Sequence, residues 1–184
     1  MNTQLNRNWT LFFHAKDKTK SYDDNTIFII NINTIKDFWG TFNNIPKPSE
    51  LFYDGKTPKG LKLNGTIYIP NAFSFFEKGV KPTWDDPKNI YGAEWSIRKF
   101  NELEEISNMW MIALTDLLSE SFKYSEHIKG IRIVDSTLPG KPMYRLEYWF
   151  DSLEFSEQIS SYIKSLFNIK TNLLYREHST IKEA

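Results

Sequence analysis

The feature that most constrains this chain is how its strand-like stretches are joined. Trp9–His14 and Thr26–Asn31 are aromatic and β-branched, and the eleven residues between them, 15–25, are nearly all charged or polar. Two strands with a polar loop are predicted. Ala93–Phe100 alternates, with Trp95 and Ile97 on one face and Glu94, Ser96 and Arg98 on the other. Phe73–Phe76, Ile128–Val134, Met143–Phe150 and Leu173–Glu177 read as further strands, with a turn at Pro139-Gly140. Only three stretches carry helical periodicity, and they lie far apart. Thr34 caps the first, through about Asn43, with Ile35, Phe38, Trp39 and Phe42 at helical spacing. The second, 101–122, carries the stripe Leu103, Ile106, Trp110, Ala113 or Leu114, and Leu117. The third runs from a cap at Asp151 or Ser152 to about Phe167, with Glu154 placed for a capping box and Leu153, Ile159, Ile163 and Leu166 as core candidates. Strands in hairpin-like succession with three spaced helices specify an α+β fold, an antiparallel sheet covered on one face.

The chain's 184 residues suit one domain, 1–184, with an irregular insertion at about 46–74. Proline and glycine, Pro58 among them, punctuate that insertion, leaving room for one short strand at Thr66–Ile69. Apolar runs such as Ile27–Ile30 are strand-sized, far below the ~18–20 residues that span a bilayer, so no membrane segment is expected. The chain has no cysteine, which fits a reducing compartment and a cytoplasmic location.

Charge excludes one class of partner. Basic and acidic residues balance at 23 each, whereas proteins that coat a phosphate backbone are strongly basic. A neutral chain can still read one nucleotide by stacking and hydrogen bonding. Metal and nucleophile chemistry lack support: three histidines, each read as a strand or surface residue, no paired ligand spacing, and no glycine-rich phosphate loop. Asp85 and Asp86 resemble a catalytic pair, but adjacent side chains in an extended segment point apart.

Two aromatics stand outside every apolar face: Tyr22 in the first polar loop and Trp84 in Pro82-Thr-Trp-Asp-Asp-Pro87. Loop aromatics carried by a rigid sheet are common binding groups, and two parallel rings suit a flat heterocycle. Asp85, next to Trp84, can accept two parallel N–H bonds from a guanine edge. A guanine methylated at N7 is cationic, and electron-rich ring faces attract it beyond ordinary stacking.

The ordered set Trp9-x-Leu-x-Phe, Tyr22, Phe38-Trp39, Lys81-Pro-Thr-Trp-Asp-Asp-Pro-Lys-Asn89, Trp95, Trp110, Glu120-Ser-Phe122, Trp149 and Tyr175 resembles the eukaryotic translation initiation factor 4E family, the mRNA cap-binding proteins, from about Trp9 to His178. The resemblance implies a single strongly curved sheet of about eight mostly antiparallel strands with three helices on its convex back, and a monomer without cofactor or catalysis. It implies cap stacking between Tyr22 and Trp84, a guanine edge read by Asp85, a methyl contact at Trp149, and phosphate binding by Lys141, Arg145 and Arg132. On the convex side it implies that Ile35, Trp39, Met111 and Ile112 receive a helix of the 4G scaffold or of a competing 4E-binding repressor. Five positions depart from the family's pattern: Tyr22 where many members carry Trp, Glu94 where an Arg is common, Ser136 at another basic position, and, on the partner face, Ile112 at an acidic position and Thr115 at a nearby Leu. The predicted function is binding of the 7-methylguanosine cap of mRNA and recruitment of a scaffold for translation initiation. The alternatives are a divergent cap-binding translational repressor and a hydrolase of nucleotides or caps.

Overall fold

The structure, a computed structural model, describes residues 2–57 and 59–181; Pro58 and both ends of the expected 1–184 domain lie outside the described residues. Seven strands form one antiparallel sheet: β1 (Gln4–Ala15), β2 (Thr26–Thr34), β5 (Pro70–Glu77), β6 (Ala93–Phe100), β7 (Ile128–Asp135), β8 (Met143–Phe150) and β9 (Leu174–Glu177). Their order across the sheet is β2-β1-β5-β7-β8-β6-β9. The sheet is curved. Seven strands stand in this sheet against the expected count of about eight; two more, β3 (Leu61–Leu63) and β4 (Thr66–Tyr68), pair with each other alone among the described residues, within the stretch expected to be an irregular insertion. Asn64 and Gly65 turn that hairpin with φ of 47° and 84°. Positive φ at both centres is what a type I′ two-residue turn requires, and Asn-Gly meets it at least cost.

Three helices pack on one side of the sheet. α2 (Ile35–Phe42) begins at a full capping box: the Asp37 N–H donates to the Thr34 hydroxyl at 3.0 Å and the Thr34 N–H to the Asp37 carboxylate at 3.0 Å. α4 (Leu103–Ser119) ends where Glu120 turns left-handed, φ 49°. α5 (Ser156–Leu166) departs from expectation. A 3-10 turn over Leu153–Phe155 precedes it and Ser152 makes no side-chain cap bond, so the capping box at Glu154 does not form. Because that turn shifts the helical register, Leu153 lies exposed, Leu166 is half-buried, and Ile159 and Ile163 are buried. Two short turns complete the set, α1 (Tyr22–Asn25) in the first polar loop and α3 (Pro48–Leu51).

Alternation divides the sheet into two unlike faces. Cross-strand pairing aligns Leu11, Phe75, Ile131, Tyr148 and Trp95 in one row and Phe13, Phe73, Ile133, Leu146 and Ile97 in the next. These face Phe38, Ile106, Trp110, Leu114, Ile159 and Ile163 of the helices in one core, each large side chain contributing ~1.5–3 kcal/mol by leaving water. The rows between face away from the helices. One reads Phe12, Ser74, Arg132, Glu147 and Ser96; the next reads Thr10, Phe76, Gly130, Trp149, Glu94 and Arg176. Gly130 is required there because a Cβ would meet the Phe76 ring at 2.4 Å.

Candidate functional site

The helix-free face is roofed by two loops that start at opposite ends of it. β1 and β5 are antiparallel, with Trp9 opposite Glu77 and Ala15 opposite Pro70. The Tyr22 segment therefore leaves one end of the pair and the Trp84 segment the other. Both fold back over the face and meet, where the Tyr22 hydroxyl donates to the Pro82 carbonyl at 2.6 Å. Tyr22 leans over His14, ring centroids 5.6 Å apart, and its hydroxyl end is enclosed although 46% of the residue is open to solvent. Burial raises the Tyr22 pKa, against the nearby Arg132 charge, so the phenol keeps its proton.

The second loop is built by its buried polar residues. The Asp86 carboxylate accepts from the Lys81 and Lys88 backbone N–H groups, both at 2.9 Å. The Asn89 amide donates to the Lys81 and Thr83 carbonyls. His178, at the turn after β9, donates from Nδ1 to the Asn89 carbonyl at 2.8 Å. It is thus neither a strand nor a surface residue but a buried brace for the loop. With those backbone groups held from below, Trp84 and Asp85 point outward; Trp84 is 39% exposed and Asp85 is exposed. The Asp85 carboxylate makes no hydrogen bond or ion pair among the described residues. The Arg176 guanidinium lies 5.9 Å from the centre of the Trp84 ring.

Beneath the loops lies a buried layer of charge. Glu147 accepts from the Trp149 indole N–H at 3.0 Å and also faces Arg132 at 3.4 Å and Arg145 at 3.2 Å. Arg132 is buried and stands over the Trp149 ring, 5.6 Å from its centre, while Phe76 and His178 pack against the same indole. Trp149 is 1% exposed. The Nε atoms of both arginines are buried without a hydrogen-bond partner. Burial lowers the Arg132 pKa, but Tyr22, Glu147 and Glu94 raise it, and the net direction is up, so the guanidinium stays charged. His14 behaves oppositely: burial first and Arg132 second hold its pKa well below the ordinary imidazole value. The Thr26 hydroxyl spends its proton on the Tyr22 carbonyl, so Nδ1 of neutral His14 donates to Thr26 and Nε2 accepts from Ser74 at 2.6 Å.

Of the residues singled out in the sequence, Tyr22 meets the loop that carries Trp84 and Asp85 at Pro82, with Trp149, Arg132 and Arg145 on the sheet face below. Lys141 stands apart, exposed at the β7–β8 turn. On the helix side Ile35 and Trp39 are exposed one turn apart on α2, Ile112 is exposed on α4, and Met111 is partly buried against the core. Glu147, Ser74 and Arg176 are not singled out by the sequence, and His14 is read there only as a strand or surface residue. The signal for Glu147 was there: Arg145, Glu147 and Trp149 alternate, so one face of β8 carries all three. Among the described residues no three His, Cys, Asp or Glu are grouped to hold a metal ion, and no helix is long and apolar enough to cross a membrane.

The family model for eukaryotic initiation factor 4E matches residues 4–184. The chain belongs to the initiation factor 4E family. Within that family, translation initiation factor 4E-1B of Danio rerio is 32% identical over 133 residues, 71% of this chain and 55% of its own length. Factor 4E1 of Drosophila melanogaster is 30% identical over 123 residues, 66% of this chain and 41% of its own length. The chain spans about half the length of the curated relatives it matches. Among solved 4E structures, that of Ascaris suum eIF4E-3 with the m7G cap has a TM-score of 0.77 at 22% identity, covering 99% of this chain and 96% of that one. A complex of C. elegans eIF4E-3 with the 4E-binding protein Mextli and a cap analog also scores 0.77, at 21% identity, covering 97% and 94%. The likeness establishes the 4E fold.

Proposed function

We propose that this protein binds the 7-methylguanosine cap of mRNA between Tyr22 and Trp84, without catalysis, and recruits a scaffold factor through its helix side to promote translation initiation in the cytoplasm. The observation that carries the reading is the meeting of Tyr22 with the Trp84 loop beside an uncommitted Asp85. Two rings on a rigid sheet supply stacking worth ~1–3 kcal/mol per base, increased for a cationic base. Asp85 supplies two charge-assisted bonds to the guanine edge. Lys141 and Arg145 serve the triphosphate. Buried Arg132 acts from beneath as a fixed positive charge, and the Trp149 indole bounds the methyl end of the slot. Hydrolysis by an Asp85–Asp86 pair is disfavoured because both Asp86 oxygens are engaged by backbone N–H groups.

The repressor reading has an observation of its own. Glu94 stands where the family often carries Arg, 3.3 Å from His178 Nε2 and 3.8 Å from Arg176, so this position adds a negative charge beside the slot. Such a site holds the cap less firmly and favours a role in sequestering mRNA. Both readings predict that immobilised 7-methyl-GTP retains the protein, that free 7-methyl-GTP displaces it well below the concentration of GTP required, and that folded Trp84→Ala is not retained. Equal displacement by the two nucleotides refutes cap binding. Capture of a 4G-type helix by wild type but not by Trp39→Ala, with cap retention intact in both, separates initiation from sequestration.

A further inference from the structure

The helix-free face continues past the triphosphate candidates to an end that the cap does not use. Along β6, alternation puts Glu94, Ser96, Arg98 and Phe100 on this face, and pairing sets Arg98 opposite Arg145 and Phe100 opposite Met143. Met143 in turn receives the Ser136 N–H, and two residues on Leu138 pairs with Lys141. Phe100 is 60% exposed and Leu138 61%. Large apolar side chains so open at strand ends contribute nothing to the core. The cations beside them are uncommitted: Arg98 and Lys141 are exposed and in no ion pair among the described residues, and Arg145, paired with Glu147, keeps an unpartnered Nε. The nearby acids are spent, Asp135 on the Tyr53 and Thr137 N–H groups and Glu102 and Glu105 on Lys99.

We propose that Phe100 and Leu138, flanked by Arg98 and Lys141, form a second subsite that takes the first nucleotide of the RNA chain beyond the cap's triphosphate, its base stacked on Phe100. The proposal rests on the cap reading above and extends it. Two residues along a strand advance ~7 Å, so Phe100 lies one step, on the scale of a nucleotide, beyond the Arg98–Arg145 pair. An aromatic face bordered by unpaired cations and continuous with a phosphate track matches single-stranded RNA, where stacking accepts any base and cations hold the backbone. An acidic or purely apolar peptide would need no such continuity with the slot.

The test is the affinity of the full chain for the dinucleotide cap m7GpppA and for 7-methyl-GTP, followed by tryptophan fluorescence. Phe100→Ala is expected to weaken m7GpppA about tenfold, the stacking contribution of one base, and to leave 7-methyl-GTP within about twofold. Phe100→Trp should tighten m7GpppA alone. Equal loss for both ligands overturns the subsite, as does no loss for either, which is the result expected if a peptide occupies this end. A wild-type protein that does not distinguish 7-methyl-GTP from GTP fails the cap reading and this proposal with it. Normal methyl discrimination with an inert Phe100 fails this proposal alone.

Discussion

The Tyr22 hydroxyl donates to the Pro82 carbonyl at 2.6 Å, joining two loops that leave opposite ends of the β1–β5 pair. A tryptophan at position 22 would offer more stacking surface but no hydroxyl, so this member exchanges ring area for a tie between the walls. Tyr22→Phe keeps the ring and deletes the tie. A net hydrogen bond contributes ~0.5–1.5 kcal/mol, so 7-methyl-GTP affinity should fall roughly two- to tenfold while thermal stability changes little. Unchanged affinity by fluorescence titration would mean that the tie does not set the spacing of the walls.

The two adjacent aspartates should separate cleanly. Asp85→Asn exchanges an exposed, unbonded carboxylate for an amide, which weakens guanine recognition with no change in melting temperature. Asp86→Ala strips the acceptor from two backbone N–H groups, leaving them unsatisfied at ~1–3 kcal/mol each if they stay dry. Thermal melts of both variants, run beside cap titrations, should show loss of affinity alone in the first and loss of stability together with affinity in the second.

Glu147 balances two arginines and an indole N–H in a buried layer. Removing it leaves Arg132 buried and uncompensated, which costs about 3–5 kcal/mol. Urea unfolding of Glu147→Ala should show that loss, and the double variant Glu147→Leu with Arg132→Met should recover a substantial part of it. A double variant no better than the single would mean that the Arg132 charge is not the source of the penalty.

Stability should fall in mild acid through His14. Its folded pKa lies well below the ordinary value of 6.5, chiefly through burial. At high pH both states are neutral and the full stability is present. As pH drops below about 6.5 the unfolded chain takes up a proton that the native site refuses, so stability declines until pH reaches the lowered folded pKa, with a slope of at most ~1.4 kcal/mol per pH unit. Urea midpoints at pH 7.5 and 5.5 should differ more for wild type than for His14→Gln; equal differences would show that another group carries the dependence.

Much of the scaffold was legible from local pattern. The limits of β6, Ala93–Phe100, came out as expected because period-2 alternation is set within the strand itself, and the Thr34 cap because its partner Asp37 lies three residues away. Tyr22 and Trp84 were separable from the core because neither joins an apolar stripe. Of the hairpin only β4 matches an expected strand, Thr66–Ile69; β3 and the pairing escaped although Asn64-Gly65 marks the turn, since the flanking runs are only three residues long. The start of α5 escaped because a 3-10 turn and an α-helical turn use the same kinds of residue.

The chain order alone determined which side chains share a face of each element, for that depends on geometry repeating every two or 3.6 residues. It therefore sufficed for the fold class and for the residue types at the roof of the site. Which strands become neighbours, and hence that Ser74, Arg132 and Glu147 fall in one row, was decided by tertiary pairing, Ser74 with Arg132 58 positions further on and Arg132 with Glu147. So was the approach of Tyr22 to Pro82, because two loops from opposite ends of a sheet can meet only once its curvature and packing bring them over the same face.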